Sequence, residues 1–456
     1  ILKENSMFRS KFIGALFFIM LQCCMLQVQA GVGSEFKTGE LKNPRRTFTD
    51  PEPNKPGRII SPNDFKGTDS ERIQKAINAA KGSSNKVVIP MHNARGGNIW
   101  KIDRAILLPS NISLVLDNCI IQLSDICRDN MFRSDNVGVG ISNPGWNYNI
   151  SIVGIGEVQL RGADNPRSTG DAYRTLTLTN EKGRVSYGSD AGKEGMKQKG
   201  DWRNNLIQIA KVDGFIFRNI TIKNSHAWAM SFERTKNVEL SALRFLNPEY
   251  IKVNGAQVKT YNKDGINLRH GCKYFRIDNI TGINGDDLIA LSSLDAAPYY
   301  HTDGDINSYQ VTSTKWNGPE DDTEQVFITN CQTNYTGVAI RASDNASIHH
   351  VYINGVITKA RPDTPPPYGG SPYTVLVGGR GYGDNSVRGK INNIYATNLF
   401  GDGKSLILVE SQVSDCQFIN GIYTGTAPDA ITYNVDRKTT SNITEVNLIK
   451  VPNTQE

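Results

Sequence analysis

Three aspartates in the middle of the chain have the residue type and the spacing for acid/base chemistry. Asp264 precedes a glycine, whereas Asp286 and Asp287 are adjacent and lead into an apolar segment; Asp264 and Asp286 are 22 residues apart (286 − 264). Glycoside hydrolysis needs one carboxylic acid that protonates the leaving oxygen and one carboxylate that activates water or attacks directly. The three aspartates predict such a site, although a single Asp before Gly is also typical of turns, where it caps backbone N–H groups.

Short β-branched segments recur along the chain and must position these aspartates. Segments that begin at Phe215 and Val238 are 23 residues apart (238 − 215). A period of 20–50 residues indicates a solenoid, and short strands with Asn/Gly corners favour a β-helix. We therefore predict an all-β, single-stranded right-handed parallel β-helix. A sandwich or barrel is the alternative, and it predicts alternating strands joined by hairpins.

Stacked coils would bring the aspartates together. Adjacent parallel strands lie about 4.8 Å apart, so residues one coil apart become neighbours. Such crowding should raise the pKa of at least one carboxyl group through like-charge repulsion. Before the first strands, Ile73, Ala76, Ile77 and Ala80 recur at the spacing of one helix face. This pattern predicts a short helix that caps the N-terminal end of the solenoid.

The N-terminal residues have the pattern of a Sec signal peptide. A basic start at Met7, an apolar stretch and small residues before Gly31 predict cleavage after Ala30. A lipoprotein signal around Cys23 is the alternative. We predict an upstream extension and signal peptide over 1–30, a Pro- and Gly-rich leader over 31–58, and a β-helix catalytic domain over 59–456. These features predict a secreted or periplasmic protein without a transmembrane span.

The charge and the composition limit the classes of binding partner that the sequence predicts. The formal net charge is +6, which favours attraction to an acidic polysaccharide but is also ordinary for a solvated surface. Without a basic cluster interleaved with aromatic residues, nucleic acid is not predicted. Five cysteines remain after the predicted cleavage, at spacings that form no zinc motif, although one pair, such as Cys119 with Cys127, could close a small loop. These are Cys119, Cys127, Cys272, Cys331 and Cys416.

The motifs around the aspartates resemble those of a known family. Asn-Lys-Asp-Gly around Asp264 and Gly-Asp-Asp around Asp286 and Asp287 are similar to the acidic motifs of polygalacturonase-type glycoside hydrolases, family 28, of the pectate-lyase-like superfamily. The similarity runs from about Phe65 to the end of the solenoid. It implies that Asp286 is the general acid and that Asp264 and Asp287 hold and activate water in an inverting reaction. It also implies that no metal or other cofactor is needed.

Two motifs of that family are altered in this chain. No Gly-His-Gly follows the aspartate pair; the next histidine, His301, lies in an insertion over 294–324 and is a candidate substrate-binding residue of the cleft. The family's Arg-Ile-Lys is matched by Ala-Ile-Arg ending at Arg341, which predicts that Arg341 binds a substrate carboxylate. Because Arg and Lys differ in reach and donor geometry, the sugar need not be galacturonate.

Further residues could line the same cleft. His226 and Trp228 precede the aspartates by one to two coils, and Trp228 could stack on a sugar ring or pack against a coil corner. For Arg269 and His270 the sequence favours a solvated loop.

Three functions remain open at this point. The first is a secreted hydrolase of a pectin-type or related polysaccharide. The second is a polysaccharide lyase in which the aspartates bind Ca²⁺ and Arg341 abstracts a proton. The third is a non-catalytic polysaccharide-binding β-helix. The sequence gives no indication of the oligomeric state.

Overall fold

The recurring segments form two long parallel sheets. Among the described residues, sheet A has 14 strands, sheet B has 10 strands, and a separate antiparallel pair has two. In chain order the strands are β1 (Lys86–Ile89), β2 (Ile99–Ile102), β3 (Ile106–Leu108), β4 (Ile112–Asp117), β5 (Ile120–Leu123), β6 (Phe132–Ser134), β7 (Asn147–Ile155), β8 (Gln159–Arg161), β9 (Ile207–Ala210), β10 (Val212–Lys223), β11 (Met230–Glu233), β12 (Lys236–Asn247), β13 (Tyr250–Val253), β14 (Ala256–Lys259), β15 (Ile266–Leu268), β16 (Lys273–Asn284), β17 (Asp287–Leu294), β18 (Thr323–Thr333), β19 (Thr336–Ser343), β20 (Ser347–Thr358), β21 (Tyr373–Val377), β22 (Lys390–Gly401), β23 (Ser405–Val409), β24 (Val413–Tyr423), β25 (Ile431–Tyr433) and β26 (Ser441–Lys450).

The computed structural model covers most of the predicted solenoid. All described residues belong to one compact unit, Arg46–Glu456. The predicted signal peptide and leader, 1–58, lie outside the described residues, so those boundaries stay predictions. The structure describes residues 59–127, 129–164, 202–225, 227–248, 250–253, 256–259, 263–294, 303–304, 308–343, 345–359, 372–379 and 390–452.

The order of strands within the sheets makes the chain a parallel β-helix. Sheet A runs β1-β4-β7-β10-β12-β16-β18-β20-β22-β24-β26, and sheet B runs β3-β6-β9-β11-β15-β17-β19-β21-β23-β25. From β9 onwards, with the β13–β14 pair aside, the chain alternates between the two sheets, so each pair of strands completes one coil. The prediction of a right-handed parallel β-helix is confirmed, and the sandwich or barrel alternative fails because neighbouring long strands are parallel.

The predicted helix is present as α1 (Asp69–Ala80). Its four predicted core-facing residues, Ile73, Ala76, Ile77 and Ala80, are completely buried and belong to the main core with the first strands. A capping box formed with Glu71 starts the helix. Single 3-10 turns occur at Pro62–Asp64, Trp202–Asn204, Pro319–Asp321 and Arg437–Thr439.

Inward-facing apolar side chains fill the centre of the coils. Phe232 meets Phe215 and Phe275 edge to face, with ring centroids 5.7 Å and 5.3 Å apart. The five described cysteines are buried and free, so the pairing that could close a loop between Cys119 and Cys127 is wrong. Burial raises the pKa of the Cys119 thiol to about 12, which makes it an unreactive small apolar group. Within the described residues, no helix is long and apolar enough to cross a membrane.

A column of left-handed residues bends sheet A at the same point in successive coils. One residue near the middle of each long strand from β10 to β26 has positive φ, and the strand registers place these residues side by side. Asn and Gly tolerate this conformation, which explains the frequent Asn at these corners. The column comprises Asn219, Ala242, Asn279, Asn330, Gly355, Asn398, Asn420 and Asn447.

Ala242 is the one member of this column that is neither Asn nor Gly. Its φ is 51°, and left-handed backbone costs an ordinary L-residue roughly 1–2 kcal/mol. We expect Ala242→Asn to raise the free energy of unfolding by about 0.5–1 kcal/mol, since Asn relieves part of that cost. Urea denaturation measures the change. Arg244→Asn, at an exposed position of the same strand without positive φ, should give no gain; an equal gain there would contradict this explanation.

Candidate active site

Asp264 and Asp287 lie side by side at the start of neighbouring coils. Ile266 pairs with Ile289 in the parallel ladder of β15 and β17, and the Gly265 N–H donates to the Asp287 carbonyl oxygen at 2.9 Å. This register, a step of 23 residues (289 − 266), places Asp264 opposite Asp287 and one residue past Asp286. Asp286 occupies the turn just before β17, so all three carboxyl groups belong to two consecutive coils.

The glycine after Asp264 has a steric reason. A Cβ atom at Gly265 would lie 2.5 Å from the Leu288 carbonyl oxygen and 3.3 Å from the Asn284 amide nitrogen. The next coil therefore approaches so closely that only glycine fits. The glycine after Asp264 thus permits the close approach of the two coils that carry the acids.

The three carboxyl groups differ in burial. Asp264 and Asp287 are 6% and 2% exposed, whereas Asp286 is partly exposed. Asp286 Oδ1 accepts a hydrogen bond from the Asp287 N–H at 3.1 Å, which orients its side chain along the turn. Asp286 is therefore the member of the set most accessible to a substrate.

Asp264 has the perturbed acidity that the sequence predicted for one of the three aspartates. Burial raises its pKa well above the usual range, and the charges of Asp286 and Asp287 raise it further. The Asn267 side chain and the Arg341 charge oppose this shift but do not cancel it. Asp264 is thus a buried carboxyl group that holds a proton more tightly than an ordinary Asp.

Asp287 is fixed by two residues from later coils, and we call this arrangement the clasp. Arg341 Nη1 donates to Asp287 Oδ2 at 2.6 Å, and the Tyr373 hydroxyl donates to Asp287 Oδ1 at 2.7 Å. Arg341 Nη2 also donates to the Tyr373 hydroxyl at 2.8 Å. All three side chains are mostly buried. Both oxygens of Asp287 are therefore already oriented by the protein.

The strand between these residues explains how Tyr373 reaches Asp287. Asp287 pairs with Thr336 in the next coil, and the β19–β21 register places Tyr373 beside Thr336. The small Thr336 side chain leaves room for the tyrosine to extend past it. Thr336 also occupies the position beside Asp287, so β19 supplies no histidine there.

The contacts of Arg341 differ from those that the sequence predicted for it. Two of its guanidinium nitrogens bind Asp287 and Tyr373, so they do not face an open carboxylate-binding subsite. Tyr373 was missed by sequence reasoning, because only the three-dimensional stacking of three coils brings it to Asp287. Burial raises the pKa of its hydroxyl, and the neighbouring Asp287 charge adds to this shift, so Tyr373 remains a hydrogen-bond donor.

Trp228 lies beside Asp264 in the preceding coil. The pairing of Met230 with Ile266, extended by two residues, places Trp228 opposite Asp264. The guanidinium carbon of Arg269 lies 5.1 Å from the Trp228 ring centroid, and the Tyr309 ring lies 6.3 Å away at an interplanar angle of 30°. Trp228 thus contacts side chains from two other segments and is close to the acids.

The expectation of a solvated loop for Arg269 and His270 is wrong. Arg269 is 7% exposed and His270 is completely buried. Burial lowers the pKa of His270 well below the usual range, and the Arg234 and Arg269 charges lower it further. His270 is therefore a neutral interior side chain. The predicted cleft residues His226 and His301 lie outside the described residues, so their roles stay predictions.

Among the described residues, no group of three or more His, Cys, Asp and Glu side chains is placed to hold a metal ion. The three aspartates therefore do not form a ready set of metal ligands. What they do form is an acid cluster with one member that retains a proton, one that is accessible and one that is fixed by the clasp.

Part of the chain matches a family of known chemistry. Residues 150–304 match the family model of the glycosyl hydrolases family 28. The matched range contains Trp228 and all three aspartates but ends before Arg341 and Tyr373. The resemblance inferred from the acidic motifs is confirmed for this segment. No curated protein matches the sequence.

Two solved structures share the fold at low sequence identity. The endo-xylogalacturonan hydrolase from Aspergillus tubingensis is 12% identical with a TM-score of 0.53, and the alignment covers 87% of this chain and 93% of that chain. A tailspike protein double mutant of E. coli bacteriophage HK620, in complex with a pentasaccharide, is 14% identical with a TM-score of 0.52. That alignment covers 85% of this chain and 65% of the tailspike. At such identities the likeness shows the β-helix fold alone.

Proposed function

We propose that this protein is a secreted glycoside hydrolase that cleaves a pectin-type or related polysaccharide by acid/base catalysis with Asp264, Asp286 and Asp287. The observation that carries the proposal is the placement of three carboxyl groups on two consecutive coils, with a raised pKa at the buried Asp264. The family-28 match over residues 150–304 supports the same chemistry. Secretion follows from the predicted signal peptide.

The three aspartates would divide the work according to their environments. Interacting carboxyl groups titrate as a set, so one proton is shared among them. Asp264 holds this proton in the free protein and passes it to the accessible Asp286, which protonates the leaving oxygen as the glycosidic bond breaks. Asp287, oriented by the clasp, and the ionised Asp264 hold a water molecule; its oxygen bonds to the anomeric carbon and its proton returns to Asp264, which restores the starting state. Direct attack by water inverts the anomeric configuration.

The substrate class follows from the clasp and from the charge. Since Arg341 binds Asp287 and Tyr373, it acts as a positioning residue rather than as the partner of a substrate carboxylate. The sugar at the catalytic subsite therefore need not be a uronate, while the net charge of +6 still favours an acidic polymer overall. Acidic and neutral pectic polysaccharides belong in the same assay.

The decisive experiment measures new reducing ends. The protein is incubated with polygalacturonate, pectin, xylogalacturonan and a neutral galactan, with and without chelator. We expect chelator-insensitive cleavage of at least one polymer, and a loss of at least about 100-fold in Asp286→Asn, since a general acid contributes about 10²–10⁴-fold. Asp415→Asn is the matched control, because Asp415 lies on sheet A far along the chain and Asn tolerates its φ of 56°.

Other outcomes would point to the other two functions. Unsaturated products that absorb in the ultraviolet and disappear with chelator would establish a Ca²⁺-dependent lyase. Binding to a polymer without any new reducing ends would establish a non-catalytic binding protein. Full activity in Asp286→Asn would reject the proposed hydrolase mechanism.

A further inference from the structure

An inserted segment crosses the outer face of sheet B just before the acids. We call residues 308–321 the strap. Glu233, at the end of β11, accepts hydrogen bonds from the Val311 N–H at 2.9 Å, the Thr312 N–H at 2.7 Å and the Thr312 hydroxyl at 2.5 Å. Gln208 in the preceding coil donates to the same carboxyl group at 2.7 Å. Each oxygen of Glu233 thus accepts two hydrogen bonds.

A buried ion pair fixes the other end of the strap. Arg234 binds Asp321 through two nitrogens, at 2.7 Å and 3.0 Å. The same guanidinium group donates to the Thr312 hydroxyl at 2.6 Å and to the Ser313 carbonyl oxygen at 2.8 Å. Glu233, at the end of β11, and the next residue, Arg234, therefore hold the strap along its length.

The strap covers the sheet on the N-terminal side of Asp264. Gln208, Ala210, Ser231 and Glu233 point away from the core, yet all four are completely buried. Val311 of the strap packs with Ala210 in a small apolar cluster that also contains Val137 and Trp202. While the strap is in place, a sugar chain cannot lie on these coils.

The strap also presents an aromatic ring at the edge of the acid site. Tyr309 is 38% exposed, and its ring stacks at 6.3 Å against Trp228. Trp228 lies beside Asp264 and is also covered by Arg269 at 5.1 Å. Tyr309 therefore offers an exposed aromatic face to a sugar next to the acids.

We propose that the strap closes the substrate-binding groove one coil before Asp264, so that the protein removes short products from one end of a glycan chain, with Tyr309 contacting the sugar at the closed end. This inference rests on the proposed hydrolase function and specifies its mode of action. A groove open on both sides of the acids would instead allow cleavage within the chain.

The first test compares early products with the fall in viscosity on the four polysaccharides named above. Cleavage from a chain end should yield one short product from the earliest times, while viscosity declines slowly relative to new reducing ends. A ladder of oligosaccharides with a rapid fall in viscosity would overturn the role of the strap and leave the hydrolase intact. The absence of any cleavage would overturn the proposed function and this inference with it.

Two variants test the parts of the strap separately. In Glu233→Gln, the new side-chain NH2 group faces groups that are themselves hydrogen-bond donors, so the strap should loosen. Hydrogen exchange of the backbone amides of Val311 and Thr312 should accelerate. Products of internal cleavage should rise about tenfold. In Tyr309→Ala, kcat/KM should fall about tenfold because KM rises, which is the effect expected from the loss of one aromatic contact. Tyr309→Phe should restore it, and Tyr148→Ala, at a tyrosine 49% exposed, should behave as the unmodified protein.

The variants also have outcomes that would contradict the inference. An unchanged product pattern in Glu233→Gln despite faster exchange would mean that the strap does not limit the groove. An unchanged KM in Tyr309→Ala would remove Tyr309 from the site. Because Tyr309 is a surface residue, its replacement is compatible with folding and keeps the test valid should Glu233→Gln fail to fold.

Discussion

Asp264→Asn is expected to abolish polysaccharide cleavage and at the same time to raise the thermal stability of the protein. Burial is the main reason why the pKa of Asp264 is raised, and the charges of Asp286 and Asp287 add to it. Removing a group that shares the catalytic proton should reduce activity by at least about 100-fold. An uncharged amide does not have the desolvation cost of a buried carboxylate, so the variant should be more stable. Active-site residues commonly lower stability in this way because activity requires them.

The stability gain of Asp264→Asn should change with pH, and the raised pKa of Asp264 determines in which direction. A carboxyl group whose pKa is raised by folding supports the folded state below the pKa of the unfolded chain, and this support is lost as pH rises towards the folded pKa. The stability gain of Asp264→Asn should therefore be smallest near pH 3 and should grow as the pH rises towards the raised pKa of Asp264. Thermal unfolding of both proteins across this range measures it. Asp415→Asn, at a carboxyl group whose pKa is lowered by the Asn442 side chain, should show no gain; a pH-independent gain in Asp264→Asn would contradict the assignment.

Arg341→Met should be the most destabilising single change at the site. It removes one partner of the buried Asp287 carboxylate and one of the donors to Tyr373. Breaking a buried pair in this way costs about 3–5 kcal/mol, and cleavage should fall because Asp287 loses its orientation. Arg341→Lys should recover part of both losses, since a lysine keeps the charge but cannot bind two acceptors with a planar group. Chemical denaturation and the reducing-end assay give the two values.

A surface arginine provides the control for this prediction. Arg244→Met, on the exposed face of β12, should change the free energy of unfolding by no more than about 0.5 kcal/mol. If Arg341 instead bound the substrate carboxylate, Arg341→Met would raise KM and leave the stability unchanged. The stability measurement therefore separates the positioning role from the binding role.

The fold could be predicted because its signals are local and repeated. The four apolar residues of α1 share one helical face in the sequence, and all four are buried in the structure together with Asp69 and Ser70 of the first turn. The recurring strands and Asn corners also follow from neighbouring residues alone. The 23-residue step from Phe215 to Val238 recurs from Ile266 to Ile289 (289 − 266), but other coils are longer, such as the 36 residues from Met230 to Ile266 (266 − 230). Turn lengths between strands set these numbers, and they are not encoded by a periodic pattern.

The acid cluster could be predicted, but its supporting residues could not. Asp264 and the pair Asp286–Asp287 carry a recognisable motif and lie one coil apart. Tyr373 reaches Asp287 only because the intervening Thr336 is small, and no local pattern indicates a contact between residues 86 positions apart. The burial of Arg269 likewise depends on Trp228 in another coil.

The clasp lies close to the last described coils of the β-helix, so the orientation of Asp287 depends on whether those coils stay folded. In the part of the chain that the structure describes, only β23 and β25 follow β21, the strand of Tyr373, in sheet B, and β26, the last described strand, leaves Val446 and Ile449 43% and 53% exposed. In a solenoid each coil is stabilised mainly by its neighbours, so unfolding can propagate from an end as a small cooperative unit. Melting of the last coils would release Tyr373 while the N-terminal coils remain folded. The proposed hydrolase activity would then report the integrity of the coils from β21 to β26 rather than global unfolding.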